Sequence, residues 1–298
     1  MNPAPSTTSA PAGHRPTHPG MRSLLGAFAV LTALATGSLY VLAENTSETF
    51  AWTIEPPLTA AFIGAGYAAG FVLVVLSLRD PVWAHSRVPV LTIFVFVVLT
   101  LVATLLHVNR MHFDDDFGDL DLLAKGAAWF WLAVYVLIPV AMAVLLVRQE
   151  RTPGEDPPAR HPVPVPLRVA LAVESAALLV AGALIYLDPT TAAWVWPWEM
   201  LPFTARVVAA WLLAFGLATA LAAVTGDLRR LRTAAIAYTV FGVLVLLAVA
   251  RFPATLDWDA APSWIFVALA VAIVLTGAAG WRTAPAAESR RSPGRRHG

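Results

Sequence analysis

The chain contains no cysteine. Disulfides, thiolate metal sites and a thiol nucleophile are therefore excluded, and the redox compartment stays open. Charge is scarce. Asp, Glu, Lys and Arg supply 13% of the residues, where a soluble domain carries about 25%. Lysine is nearly missing: Lys125 stands alone against nineteen arginines, a bias that fits a GC-rich genome. No glycine-rich phosphate loop is present, and the segments between apolar runs are too short to house an ATPase. No pair of histidines lies within the apolar runs, which removes a haem held in the manner of a cytochrome.

What fills the chain instead is apolar sequence, 58% of it, with a mean hydropathy of +0.69. It is arranged in eight long runs, near 23–43, 58–78, 88–108, 126–147, 167–187, 204–225, 233–250 and 263–281. About 20 apolar residues suffice for a helix to cross a hydrocarbon core of about 30 Å. Lipid offers no partner to a free backbone N–H or C=O, so helices are expected. Barrel strands would alternate, and these runs do not. The first run could be a leader, since Val41-Leu42-Ala43 resembles a cleavage site. It is longer than the roughly 7–15 residues of a leader core, and it has a counterpart later in the chain.

Basic residues set the orientation. With the N-terminus in the cytoplasm, sixteen of the 20 fall in inside segments, and only Arg110, Lys125, Arg206 and Arg251 fall outside. Both termini are thus expected to be cytoplasmic, in a bacterial cytoplasmic membrane.

The last four runs read as a copy of the first four. Arg22 and Tyr40 bracket the first run as Arg168 and Tyr186 bracket the fifth. A Trp-x-x-Glu pattern followed by Pro and Thr-Ala precedes the second run at Trp52 and Glu55, and the sixth at Trp196 and Glu199. Arg87 matches Arg232, and Trp129-Phe130-Trp131 matches Trp264-Ile265-Phe266. An even number of spans per unit makes the two units parallel. The expected organisation is a disordered tail at 1–20, a four-helix repeat at 21–148 and a Pro-rich cytoplasmic linker at 149–166. A second repeat at 167–281 and a basic disordered tail at 282–298 complete it.

Candidate sites gather on the outer face. Glu55 and Glu199 precede helices that open with proline. A carboxylate there interacts well with a helix N-terminus, or the two flank a shared mouth between the repeats. Trp196 and Trp198 suit a membrane interface, or a stacking platform for a sugar or polyprenyl head group. Arg206, seven residues beyond Glu199, pairs with it or holds an anion, and Asp259 lies at the same mouth. The loop after the third run holds His112, Asp114 and Asp116, residue types that bind divalent cations, though its spacing is not that of an EF-hand. Glu174 is the one carboxylate inside a span, about 9 Å deep at 1.5 Å per residue; such residues face a partner or a wet cavity.

The sequence therefore predicts an all-α membrane protein with eight transmembrane helices in two parallel four-helix repeats. A permease-like or substrate-binding role at the repeat interface follows by analogy with other duplicated bundles. The alternatives are an enzyme acting on a lipid-linked substrate at the outer face, and a scaffold that only packs against other helices. No cofactor and no nucleic acid are expected. The expected partners are the lipid bilayer and other membrane proteins or a second copy of the chain.

Overall fold

The computed structural model describes residues 13–113 and 122–284. Eight of its helices are long and apolar enough to cross a membrane: α1 Pro19–Val41, α2 Pro57–Arg79, α3 Trp83–Leu106, α4 Leu122–Glu150, α5 Val165–Leu187, α6 Pro202–Thr225, α7 Leu228–Arg251 and α8 Ala261–Thr283. The chain fits a polytopic membrane protein. The described residues contain no strand, only isolated bridges.

Local chemistry sets the helix ends. Pro19, Pro57, Pro166, Pro202 and Pro262 stand in first turns, where a missing N–H costs no hydrogen bond. Gly226 closes α6 at a φ of 62°, the left-handed cap that glycine adopts freely. Asp227 then opens α7, its carboxylate accepting from the backbone N–H groups of Arg229 and Arg230.

All eight runs become helices, each starting earlier than hydropathy suggests. α3 begins at Trp83 and α7 at Leu228, ahead of the runs at 88 and 233. The arginines at these ends interrupt the apolar pattern but not the helix, because long cationic side chains reach out of the hydrocarbon. Arg87 does so by meeting Asp156 at 2.7 Å and Glu150 at 3.6 Å.

Residues 13–20, expected within a disordered tail, are tied down. Thr17 N–H donates to Pro81 O at 2.8 Å and Trp83 N–H to Arg15 O at 3.0 Å. The stretch before α5 does the same: Val163 N–H donates to Gly226 O at 2.9 Å and Leu228 N–H to His161 O at 2.8 Å. Extended backbone beside a tight helix–helix turn finds donors and acceptors that the composition of the tail does not reveal. The linker likewise begins later than expected, since α4 runs on to Glu150.

In the bundle α1 packs on α2, α5 on α6, α3 on α4 and α7 on α8. The first four helices meet the last four where α2 lies against α7 and α3 against α6. Close approach at the centre depends on Gly66, whose absent side chain leaves room for the Trp211 indole; a Cβ there would fall 2.8 Å from it.

Candidate functional site

Side chains from all eight helices line a crevice of about 230 Å³. Leu34 and Phe130, 59% and 54% exposed, stand on its rim, so it opens on the flank that faces lipid. Its walls are apolar and aromatic. Thr32 and Thr92 spend their hydroxyls on carbonyls of their own helices, Phe28 O at 2.6 Å and Val88 O at 2.9 Å. Tyr67 and Tyr135 share one hydrogen bond of 2.6 Å between α2 and α4. Few groups remain to hold a hydrophilic solute. The exception is the buried Trp211 N–H, which has no acceptor among the described residues.

Glu174, on α5, is 5% exposed and lies behind the crevice walls, which it meets through two side chains. The Tyr238 hydroxyl from α7 lies 3.1 Å from its Oε2, and Thr276 Oγ1 from α8 lies 3.0 Å from its Oε1. Both partners line the crevice. Thr276 also donates to Ala272 O at 2.9 Å, one turn back on its own helix. No Arg, Lys or His among the described residues comes within 4.0 Å of the carboxylate.

At the end opposite the described termini, Glu55 and Glu199 line a single open groove, together with Glu44. Both candidate carboxylates are solvent-exposed. Neither caps a helix: α2 is preceded by Pro56 and α6 by Leu201, and no side chain bonds either N-terminus. Both carboxylates thus stand on one groove, and the capping arrangement is not seen. Arg206 and Asp259 are not among the groove walls.

Arg206 makes no ion pair with Glu199. Its Nε donates to Tyr186 O at 3.0 Å and its Nη1 to His107 Nε2 at 2.9 Å. A guanidinium can only donate, so His107 accepts at Nε2 and carries its proton at Nδ1, facing Ala103 O at 3.0 Å. Burial, then the Arg206 and Arg110 charges, hold the His107 pKa below the usual histidine value, opposed by the Ala103 bond. Asp259 is exposed, its N–H bonded to Asp257 Oδ1.

The two tryptophans are buried against protein. Trp198 donates to Thr59 Oγ1 at 2.7 Å, and Trp196 packs edge-on against Phe62, Trp198 and Phe266. Trp52 makes the corresponding bond to Thr204 at 3.1 Å. By bonding, the counterpart of Trp52 is Trp198, although the Trp-x-x-Glu spacing pairs it with Trp196.

His112 is 1% exposed, with Nδ1 3.0 Å from Phe50 O and Nε2 3.1 Å from Thr53 Oγ1. Burial lowers its pKa, against the carbonyl bond to Phe50. Asp114 and Asp116 lie outside the described residues. Among the described residues, no three His, Cys, Asp or Glu side chains gather to hold a metal.

Sequence reasoning passed over Tyr67, Tyr135, Trp211, Tyr238 and Thr276. A signal was there for three of them, as tyrosines, whose hydroxyls need a partner inside apolar runs. No family model matches this chain, and no curated protein or solved structure is significantly similar to it.

Proposed function

We propose that this chain is a duplicated protein of a bacterial cytoplasmic membrane that binds a hydrophobic molecule from the bilayer in the crevice between its halves. The role is binding or permease-like rather than enzymatic. One observation carries it: an apolar crevice walled by every spanning helix and open on the lipid-facing flank. Ligand sites of this kind are concave and mostly apolar, and occur between the helices of bundles.

Duplication is supported by contacts that exchange partners. Tyr40 OH donates to Leu244 O at 2.9 Å, and Tyr186 OH donates to Leu99 O at 2.7 Å. Tyr186 is the counterpart of Tyr40, and Leu244 that of Leu99. The Trp52–Thr204 and Trp198–Thr59 bonds exchange in the same way. The backbone pairs at Thr17–Pro81 and Val163–Gly226 recur at equivalent places within the two halves. The orientation with both termini inside rests on the arginine bias.

The groove holding Glu44, Glu55 and Glu199 favours a second reading, an enzyme working on a lipid-linked substrate at the outer face. The two readings part on one experiment. A diacylglycerol bearing a diazirine on its acyl chain is photolysed in proteoliposomes. The expected adducts fall on crevice walls such as Phe28, Thr92 and Phe96. Gly70 lines the crevice, and a Cβ there meets only Thr32, at 3.6 Å, so Gly70→Leu fills the space without a backbone clash. That variant should lose the adducts and Glu55→Gln/Glu199→Gln should keep them. Adducts confined to exposed helix faces and untouched by Gly70→Leu would leave only the scaffold.

A further inference from the structure

A carboxylate inside a membrane span, bonded by two hydroxyls and facing no cation, has two ways to be neutral. Protonated, it closes a complete network: its O–H donates to Thr276 Oγ1, Thr276 donates to Ala272 O, and Tyr238 donates to Oε2. Ionised, it needs a positive charge that the described side chains do not place beside it. Hydroxyls alone do not offset a charge removed from water.

The crevice supplies the second half of the argument. Ten aromatic side chains line it. Their rings run without a break from Glu174's own partner towards the far end. Tyr238 meets Phe215 at 6.0 Å, Phe215 meets Trp211 at 5.5 Å, Trp211 meets Tyr67 at 5.3 Å and Tyr67 meets Trp131 at 6.5 Å. Aromatic faces attract cations, most strongly where water is excluded. Neither an anion nor an uncharged hydrocarbon gains from such walls in that way.

We propose that the ligand of this crevice is a lipophilic organic cation, and that Glu174 is the group that reads its charge. The inference rests on the crevice being a binding site, as argued above. Entry of the cation displaces the acid proton of Glu174 past Tyr238 and Thr276. One positive charge enters and one proton leaves, so the buried site stays neutral in both states. The groups facing Glu174 allow this exchange. On α7 the Tyr238 hydroxyl meets the carboxylate, with Arg229, Arg230 and Arg232 at the start of that helix and Arg251 at its far end; on α8 Thr276 meets it, with Arg282 near the helix end; the one charged residue on α6 is Arg206, at its far end. Arg168, on α5 itself, is six residues away, about 9 Å of helical rise. These arginines favour the carboxylate at long range but do not occupy it.

The test uses the purified full chain, with tetraphenylphosphonium and tetraphenylborate as probes of equal shape and opposite charge, followed by equilibrium dialysis across pH. The cation should bind in preference to the anion. Its affinity should rise with pH while a proton competes for Glu174, then level off. Glu174→Gln keeps the hydrogen-bonding shape; it should lower cation affinity about tenfold or more, the scale of a partly buried ion pair, and abolish the pH dependence. Tyr238→Phe should shift the pH profile while retaining cation preference. Equal affinity for the two ions, or cation binding that ignores pH and survives Glu174→Gln, overturns the inference. If diazirine adducts still disappear in Gly70→Leu, the crevice reading stands without it. If Gly70→Leu leaves both the adducts and the binding unchanged, both fall.

Discussion

Asp227 holds together more of the fold than its place in a short turn suggests. Its carboxylate accepts from the backbone N–H groups of Arg160, His161, Arg229 and Arg230 at 2.9–3.1 Å. It caps α7 and pins the strand-like stretch before α5. Burial by itself would raise its pKa, but these four bonds outweigh it and hold the carboxyl below the usual range. A lowered folded-state value means that the stabilisation is complete above the unfolded value of about 3.9. It is lost as pH falls through the folded value. Asp227→Ala should therefore lower the thermal unfolding midpoint at neutral pH, by an amount reflecting about 0.5–2 kcal/mol for the cap. The gap between variant and parent should narrow below pH 4 or so; equal midpoints at neutral pH would sink the claim. Sequence made Glu174 visible, because a lone carboxylate stands out in an apolar run. It did not reveal Asp227, which looks like one more charge in a loop. Nor did it reveal Tyr238 and Thr276, whose link to Glu174 exists only once α5, α7 and α8 pack together.

The helices themselves were legible, since hydrophobic length is a property of consecutive residues. Their ends were not, because Arg87 or Arg229 breaks an apolar pattern without breaking a helix. Packing order was out of reach too: nothing in the hydropathy of α2 says that it will lie on α7. The exchanged tyrosine bonds lead to a prediction at this level. Tyr40 and Tyr186 each reach from one half to a backbone carbonyl of the other. Tyr→Phe at either should cost about 0.5–1.5 kcal/mol, the net worth of one such bond. The double variant should lose close to the sum, because sites far apart add. Thermal unfolding of the three variants measures this. A large loss at one tyrosine and none at the other would argue against equivalence of the halves.

For the molecule as a whole, the arginine bias predicts which end faces the cytoplasm. Ala159 lies in the linker and Thr190 beyond α5, at opposite ends and both exposed. On a cysteine-free background, an impermeant maleimide added to intact cells should label Thr190→Cys and spare Ala159→Cys; the reverse pattern would invert the topology. The bonds between halves carry one more consequence. α2 and α6, the helices nearest the centre, spend their inner faces on α7 and α3 from the other half. Neither set of four helices has a complete interior alone, whereas the two together need no peptide link within the membrane to find one another, since spanning helices associate after insertion. A gene cut in the linker and read as two messages should yield two chains that are each degraded when made singly and stable when made together. That outcome would make the chain equivalent to two subunits translated in one piece.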